Sequence, residues 1–180
     1  MRTYIRDKTK GGCYFLTLCL ENRQSNILIE NVGLFRNAYK ITKQNHDFTL
    51  EAMVLMPDHI HLMITLAKDS DNFSVIVSSL KSHFSRQMNL LNFDSNASHS
   101  RQKKRESGIW QRRFWEHKIR DDVDFLHHVE YIHYNPVKHG YSLSPKDWQF
   151  STFHRFVQQG IYDEDWGGGV SPALIKLDYD

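Results

Sequence analysis

Two histidines one residue apart, His59 and His61, sit in the run MPDHIHLMITL. Were that run a strand, alternate residues would share a face. Ile60, Leu62, Ile64 and Leu66 then point one way, into a core, and His59, His61, Met63 and Thr65 point the other. The bases of two imidazoles so placed are about 7 Å apart and can converge on one cation. A two-histidine site is incomplete, so a third ligand must come from elsewhere. Asp58 is a candidate ligand or partner, or simply shapes the Pro57-Asp58 turn. The pair also fits half-exposed strand histidines satisfied by water.

The second constellation is DDVDFLHHVEYIHYN. Helical spacing places His127, Tyr131 and Asn135 on one stripe, at i, i+4 and i+8. The amide oxygen of Asn135 can ligate a cation while the phenol of Tyr131 reaches the same phosphate. A phenol, with a pKa of about 10, is a poor nucleophile at neutral pH. A nearby cation favours the phenolate and polarises the phosphorus. Attack leaves a phosphotyrosine that conserves the ester for rejoining. Tyr134 is the rival, on a neighbouring face with no amide one turn later, and both tyrosines also suit an amphipathic core. Imidazole suits borderline ions and phosphate suits hard ones, which leaves Mg2+ or Mn2+ as the expected cofactor.

Charge supplies the third signal. Net charge is only +2, but residues 101–120 hold eight cations against Glu106 and Glu116, a net +6. Residues 161–180 are net −4. A basic block beside Trp110, Phe114 and Trp115 suits a polyanion with unpaired bases, because cations bind the backbone and aromatics stack on bases. The expected DNA-binding residues are Lys103, Lys104, Arg105, Arg112, Arg113 and Lys118, with Lys81 and Arg86 extending the path and Arg2 and Arg6 in an N-terminal arm. For both tryptophans, core packing is the competing reading.

These residues need a scaffold, and the chain alternates in type. CYFLTLCL at 13–20 reads as a strand, and 32–45 as a helix with Val32, Phe35, Ala38, Tyr39 and Thr42 on one face. FTLEAMVLM at 48–56 and HIHLMITL at 59–66 read as strands, antiparallel because their link is so short. Residues 73–91 carry Phe73, Val77, Leu80, Phe84 and Met88 at helical spacing, and 114–120 suit a fourth strand. Asp121 and Asp122 offer an N-cap to a helix expected to stop near Asn135, because Pro136 cannot donate into it. Strand, helix, strand, strand, helix, strand is the order of a ferredoxin-like sandwich, an α+β fold with helices on one face of an antiparallel sheet. The other face is open to a ligand or to an added helix carrying the tyrosine.

Cys13 and Cys19, six residues apart on a strand, are beyond disulfide reach and read as core thiols. No apolar run approaches the roughly 20 residues of a membrane span, and MRTYIRDKTKGG lacks a signal peptide's apolar stretch. A cytoplasmic, nucleoid-associated protein is expected.

MPDHIHLMI, WQRRFWEHKIR, HHVEYIHYNPVKHGY and DWQFSTFHRFVQQGIYDEDW together resemble a REP-associated tyrosine transposase, of the Y1 branch of the HUH endonucleases. The resemblance covers about residues 2–166. It implies that His59 and His61 are the metal pair, that Tyr131 is the nucleophile and that Asn135 falls where the third ligand lies. It implies cleavage of single-stranded DNA beside short palindromic REP hairpins, leaving a 5′-phosphotyrosine and a free 3′-hydroxyl. Residues 1–160 would form the transposase-like domain, with a polar loop at 92–107, and 161–180 an irregular acidic extension that could compete with phosphate. A monomer is expected over a homodimer. The alternatives are a non-catalytic hairpin-binding protein on an RRM-like sheet and a metal nuclease that uses water, with Tyr131 structural.

Overall fold

A computed structural model describes residues 8–91 and 107–167. Its first strand, β1 (Cys13–Cys19), alternates in the way that decides the architecture. Tyr14, Leu16 and Leu18 enter one hydrophobic cluster, and Phe15 enters another on the opposite face. A sheet apolar on both faces must be covered on both.

The first face is covered as the periodicity predicts. A short α1 (Ile27–Glu30), which periodicity missed, leads into α2 (Val32–Asn45). Phe35, Ala38 and Thr42 of α2 are buried, with Tyr39 and Val32 packed beside them. β2 (Phe48–Leu55) and β3 (His59–Leu66) follow, joined through the Pro57-Asp58 turn. Ile60, Leu62, Ile64 and Leu66 of β3 face this core, against α3 (Phe73–Leu90). The Asn72 side chain caps α3 by accepting from the Val75 amide. β4 (Trp115–Lys118) completes a four-stranded antiparallel sheet in the order β2-β3-β1-β4, the strand order of a ferredoxin-like sandwich.

The second face is covered by α4 (Asp122–Lys138), whose N-terminus is capped by the Asp121 side chain at the Asp124 amide. Val129, Tyr131 and Ile132 of α4 pack on Phe15, Ala52, Val54 and Met63. The predicted stop at Asn135 is wrong: α4 continues through Pro136 for almost another turn. Proline this near a C-terminus removes only one ladder bond. The last carbonyls are satisfied from beyond the helix, where Gly140, at φ 71°, turns the chain so that Tyr141 donates to the Pro136 carbonyl at 2.9 Å.

The segment after α4 closes the outer edge of β2. A 3-10 turn (Pro145–Asp147) precedes α5 (Phe153–Gln158). Between them Leu55 donates to the Phe150 carbonyl at 2.8 Å, and the Trp148 indole donates to the Leu55 carbonyl at 3.0 Å. An unpaired sheet edge is thereby occupied. Among the described residues no helix is long and apolar enough to cross a membrane.

Candidate active site

β3 is an interior strand, and His59 and His61 emerge from its beginning onto the face that α4 covers. Both are buried, at 1% and 0% exposure, so they are not the hydrated strand histidines that the lone motif also allowed. Their rings lie 4.7 Å apart, edge to face. Each ring is fixed by a second partner. Nδ1 of His59 is 2.8 Å from Oδ1 of Asp58, and Nδ1 of His61 is 3.0 Å from the Thr17 hydroxyl. Imidazoles that donate from Nδ1 carry their lone pair on Nε2, the arrangement in which histidine binds metals. Burial works against ionisation of Asp58, but His59 and the Arg23 guanidinium, 2.7 Å from Oδ2, outweigh it and hold the carboxyl below its usual range.

The helix delivers the phenol to the same place. The Tyr131 ring is 5.3 Å from the His61 ring and 5.9 Å from Phe15, which itself stacks on His61 at 5.3 Å. Two turns beyond Tyr131, at the residue that follows α4, His139 lies 5.6 Å from the His59 ring. Asn135 sits one turn from each, and so on the stripe that follows the histidine pair. It is 0% exposed, and neither its amide oxygen nor its amide nitrogen has a hydrogen-bond partner. An unmade bond of this kind costs about 1–3 kcal/mol. A buried oxygen left open on the helical stripe that carries Tyr131 and His139 to the two imidazoles suits a cation ligand, so these residues fit the metal that the spacing implied.

His127 does not join that stripe: it is exposed, and His128 takes the buried place. His128 belongs to a group with His117 and Asp124 whose donor atoms all lie within 4.8 Å of one another. Burial pushes the His128 imidazole below its ordinary range, against the pull of the Asp124 carbonyl that it hydrogen-bonds at 2.8 Å. Burial also opposes the charge on Asp124, but hydrogen bonds from His117, the Arg120 amide and the Arg120 guanidinium prevail and hold it at about 2. These groups could approach a cation, yet their closeness is already explained by bonds to one carboxylate. Tyr134 is half-buried and off the site face.

Thr17, Phe15, Lys138 and His139 escaped the sequence reading. For Thr17 and Phe15 the signal was the alternation in β1, which places Cys13, Phe15, Thr17 and Cys19 on the histidine face; Thr17 pairs directly with His61. Cys19 is buried there and Cys13 is half-buried, both free thiols; burial foremost raises Cys13 to about 11.

The basic residues divide. A groove of about 620 Å³ runs between α3 and residues 107–112, lined by Ser78, Lys81, Ser82, Ser85, Arg86 and Arg112 among others. It opens at the same end of the sheet as the histidines: Gln111 donates to the Cys19 carbonyl at 3.0 Å, and Cys19 pairs with His59. Arg86, Arg112 and Arg113 are exposed. Lys81 also serves the fold, donating to the Gln111 carbonyl at 2.9 Å and lying over the Trp110 and Phe114 rings. Trp110 is buried, as the packing alternative held, whereas Trp115 is 41% exposed. Lys118 is not part of the groove. It pairs with Tyr14, five residues along β1 from Cys19 and about 17 Å away, and it donates to the Thr9 hydroxyl at 2.7 Å. Arg2, Arg6, Lys103, Lys104, Arg105 and most of the acidic extension lie outside the described residues.

Comparison with known proteins identifies the family and the fold. The family model of IS200-like transposases matches residues 10–135. A Haemophilus influenzae protein assigned to the REP-associated tyrosine transposases is 50% identical over 170 residues, spanning 93% of this chain and 94% of its own. The REP-associated tyrosine transposase of Escherichia coli K12 is 40% identical over 171 residues, spanning 95% and 94%. A solved structure of a REP-associated tyrosine transposase bound to a REP hairpin superposes with a TM-score of 0.80 at 38% identity, covering 95% of this chain and 94% of that one. This chain, with its paired strand histidines facing a helical tyrosine, belongs to the IS200-like transposase family and within it to the REP-associated tyrosine transposases.

Proposed function

We infer that this protein is a cation-dependent endonuclease and strand transferase that cuts single-stranded DNA beside a REP-like hairpin, through a 5′-phosphotyrosine on Tyr131. One observation carries the reading. Two buried imidazoles from β3 and a buried phenol from α4 meet within ring contact, and one turn after the phenol α4 carries a buried amide with no hydrogen-bond partner. A hairpin binder without chemistry would account for the basic groove. It would not account for an amide kept buried and unpaired at a cost of about 1–3 kcal/mol.

His59, His61 and Asn135 would hold the cation, Mg2+ or Mn2+, which when bound would neutralise phosphate charge and polarise the phosphorus. The chain's own residues do the rest. Asp58 and Thr17 hold the two imidazoles in one orientation. Phe15 and His61 hold the Tyr131 ring edge-on from the sheet side and help set the line along which its oxygen approaches phosphorus. Such orientation is worth several kcal/mol in a displacement reaction. Arg86, Arg112 and Arg113, around the groove and at the same end of the sheet, would hold backbone phosphates, with the strong salt dependence of such contacts. The relative solved with a REP hairpin makes a hairpin the substrate of choice here. Histidines and tyrosine meet within one chain, which supports the monomer as the active form.

The test is a denaturing gel of the protein incubated with a hairpin oligonucleotide carrying a single-stranded 5′ extension, with manganese or with chelator. The wild type should form a covalent adduct only with the metal. Tyr131→Phe should bind the hairpin and form none; an adduct on that variant would sink the assignment of the nucleophile. Cut product without an adduct would favour attack by water. No cutting at all, with binding intact, would favour the non-catalytic binder.

A further inference from the structure

We propose that Lys138 is a catalytic residue of the strand transfer: its ammonium group holds the Tyr131 oxygen both as that oxygen attacks the phosphodiester and as it leaves in rejoining. The proposal rests on Tyr131 being the nucleophile.

The geometry is direct. Lys138 Nζ is 3.2 Å from Tyr131 Oη and donates to it, and it lies 5.0 Å from the centroid of the phenol ring. An ammonium group has three donors and no acceptor, so towards this oxygen it can act only as a donor. Such a bond is modest to a neutral phenol and strengthens as the oxygen gains negative charge. An interaction stronger in the transition state than in the ground state accelerates the chemical step, whereas one equal in both does not.

The fold explains how the lysine comes to be there. Lys138 is seven residues after Tyr131, two helical turns, and therefore on the same face. It can occupy that place only because α4 runs through Pro136. Phe15 and His61 hold the ring from the sheet side, which leaves the oxygen fixed against the lysine. The lysine is half-buried, so its charge is less screened than that of a surface lysine.

The reaction balances without a further reactant. In cleavage the Tyr131 Oη–H proton passes to water, Oη bonds to phosphorus, and the bond from phosphorus to the 3′ oxygen breaks. That oxygen takes a proton from water and becomes the free 3′-hydroxyl. In rejoining, a 3′-hydroxyl oxygen bonds to phosphorus, its proton goes to water, and the Oη–phosphorus bond breaks. The departing phenolate is received by the Lys138 ammonium until it is protonated from water. Lys138 keeps its charge in both directions.

The experiment measures single-turnover rates of adduct formation and of rejoining, with saturating manganese and hairpin DNA, for wild type, Lys138→Ala, Lys138→Met and Lys138→Arg. Hairpin affinity and melting temperature are measured on the same samples. Loss of one donor to a developing oxyanion lowers rates roughly 10²–10³-fold. Lys138→Ala and Lys138→Met should lose that factor in cleavage and rejoining alike, with hairpin Kd within a few-fold of wild type, and Lys138→Arg should recover most of it. Met keeps the aliphatic stem, so its loss with an unchanged melting temperature isolates the charge. Wild-type rates in Lys138→Met would overturn the proposal. So would a loss confined to hairpin Kd, which would make Lys138 a phosphate contact. Adduct formation by Tyr131→Phe would instead refute the reading on which the proposal rests.

Discussion

Replacing Asn135 by Leu should make the metal-free protein more stable and deprive it of its response to metal. The Asn135 side chain is 0% exposed, and both of its polar atoms lack a partner. Each unmade bond costs about 1–3 kcal/mol, and an apolar replacement of similar volume removes that cost. Leucine branches differently, and repacking takes back up to about 1.5 kcal/mol. The net gain is about 2 kcal/mol, which for a chain of this size raises Tm by about 4–8 °C. With manganese at about 100 times Kd the wild type should gain about 2.7 kcal/mol from binding. The variant, lacking one ligand, should gain far less, so the order of the two proteins reverses between chelator and metal. Thermal melts followed by circular dichroism, in chelator and along a manganese titration, measure both effects. A variant that melts below wild type in chelator, yet responds fully to manganese, would show that the amide is satisfied within the apo fold and is no ligand.

Other substitutions probe the supports around the site. Phe15→Ala removes a fully buried ring that touches His61, His128, Trp115 and Tyr131. It should cost about 3–5 kcal/mol in urea unfolding and slow adduct formation even where the protein is still folded. A variant with a normal cleavage rate would mean that the ring does not orient the phenol. Asp124→Asn tests the His117–Asp124–Arg120 cluster by pH. The Asp124 carboxyl is held at about 2, below its unfolded value, so its stabilisation is present above about pH 4 and lost as pH falls through about 2. The wild type should exceed the variant by about 2 kcal/mol at pH 7 and by little near pH 2; a gap that does not change with pH would contradict the assignment.

Much of this is legible in the sequence. Strand alternation in HIHLMITL separated Ile60, Leu62, Ile64 and Leu66 from His59, His61 and Met63, and the two hydrophobic clusters divide along that line. Periodicity also located α2, α3 and all four strands to within a residue or two, because patterns of two and 3.6 residues are local properties of the chain. The common stripe of Tyr131 and Asn135 was legible for the same reason. The length of α4 was not. Pro136 is a strong local stop signal, and it is outweighed by the Gly140 turn just beyond the helix and by a non-local contact at the helix end, where His139 meets His59 of the sheet. Lys138 therefore went unnoticed, although it follows Tyr131 by two turns.

Residue types and spacing by themselves determined which side chains could do chemistry, and which face of its own strand or helix each must occupy. Tertiary structure alone decided which faces meet. It set Thr17 against His61 through strand register, chose His128 over His127 for the buried side of α4, and left Lys118 out of the groove that Arg86 and Arg112 line. The physical reason is range. Periodicity is written by neighbours three or four residues apart, whereas register and helix placement come from burying two apolar faces of one sheet at once, a condition on residues more than a hundred positions apart.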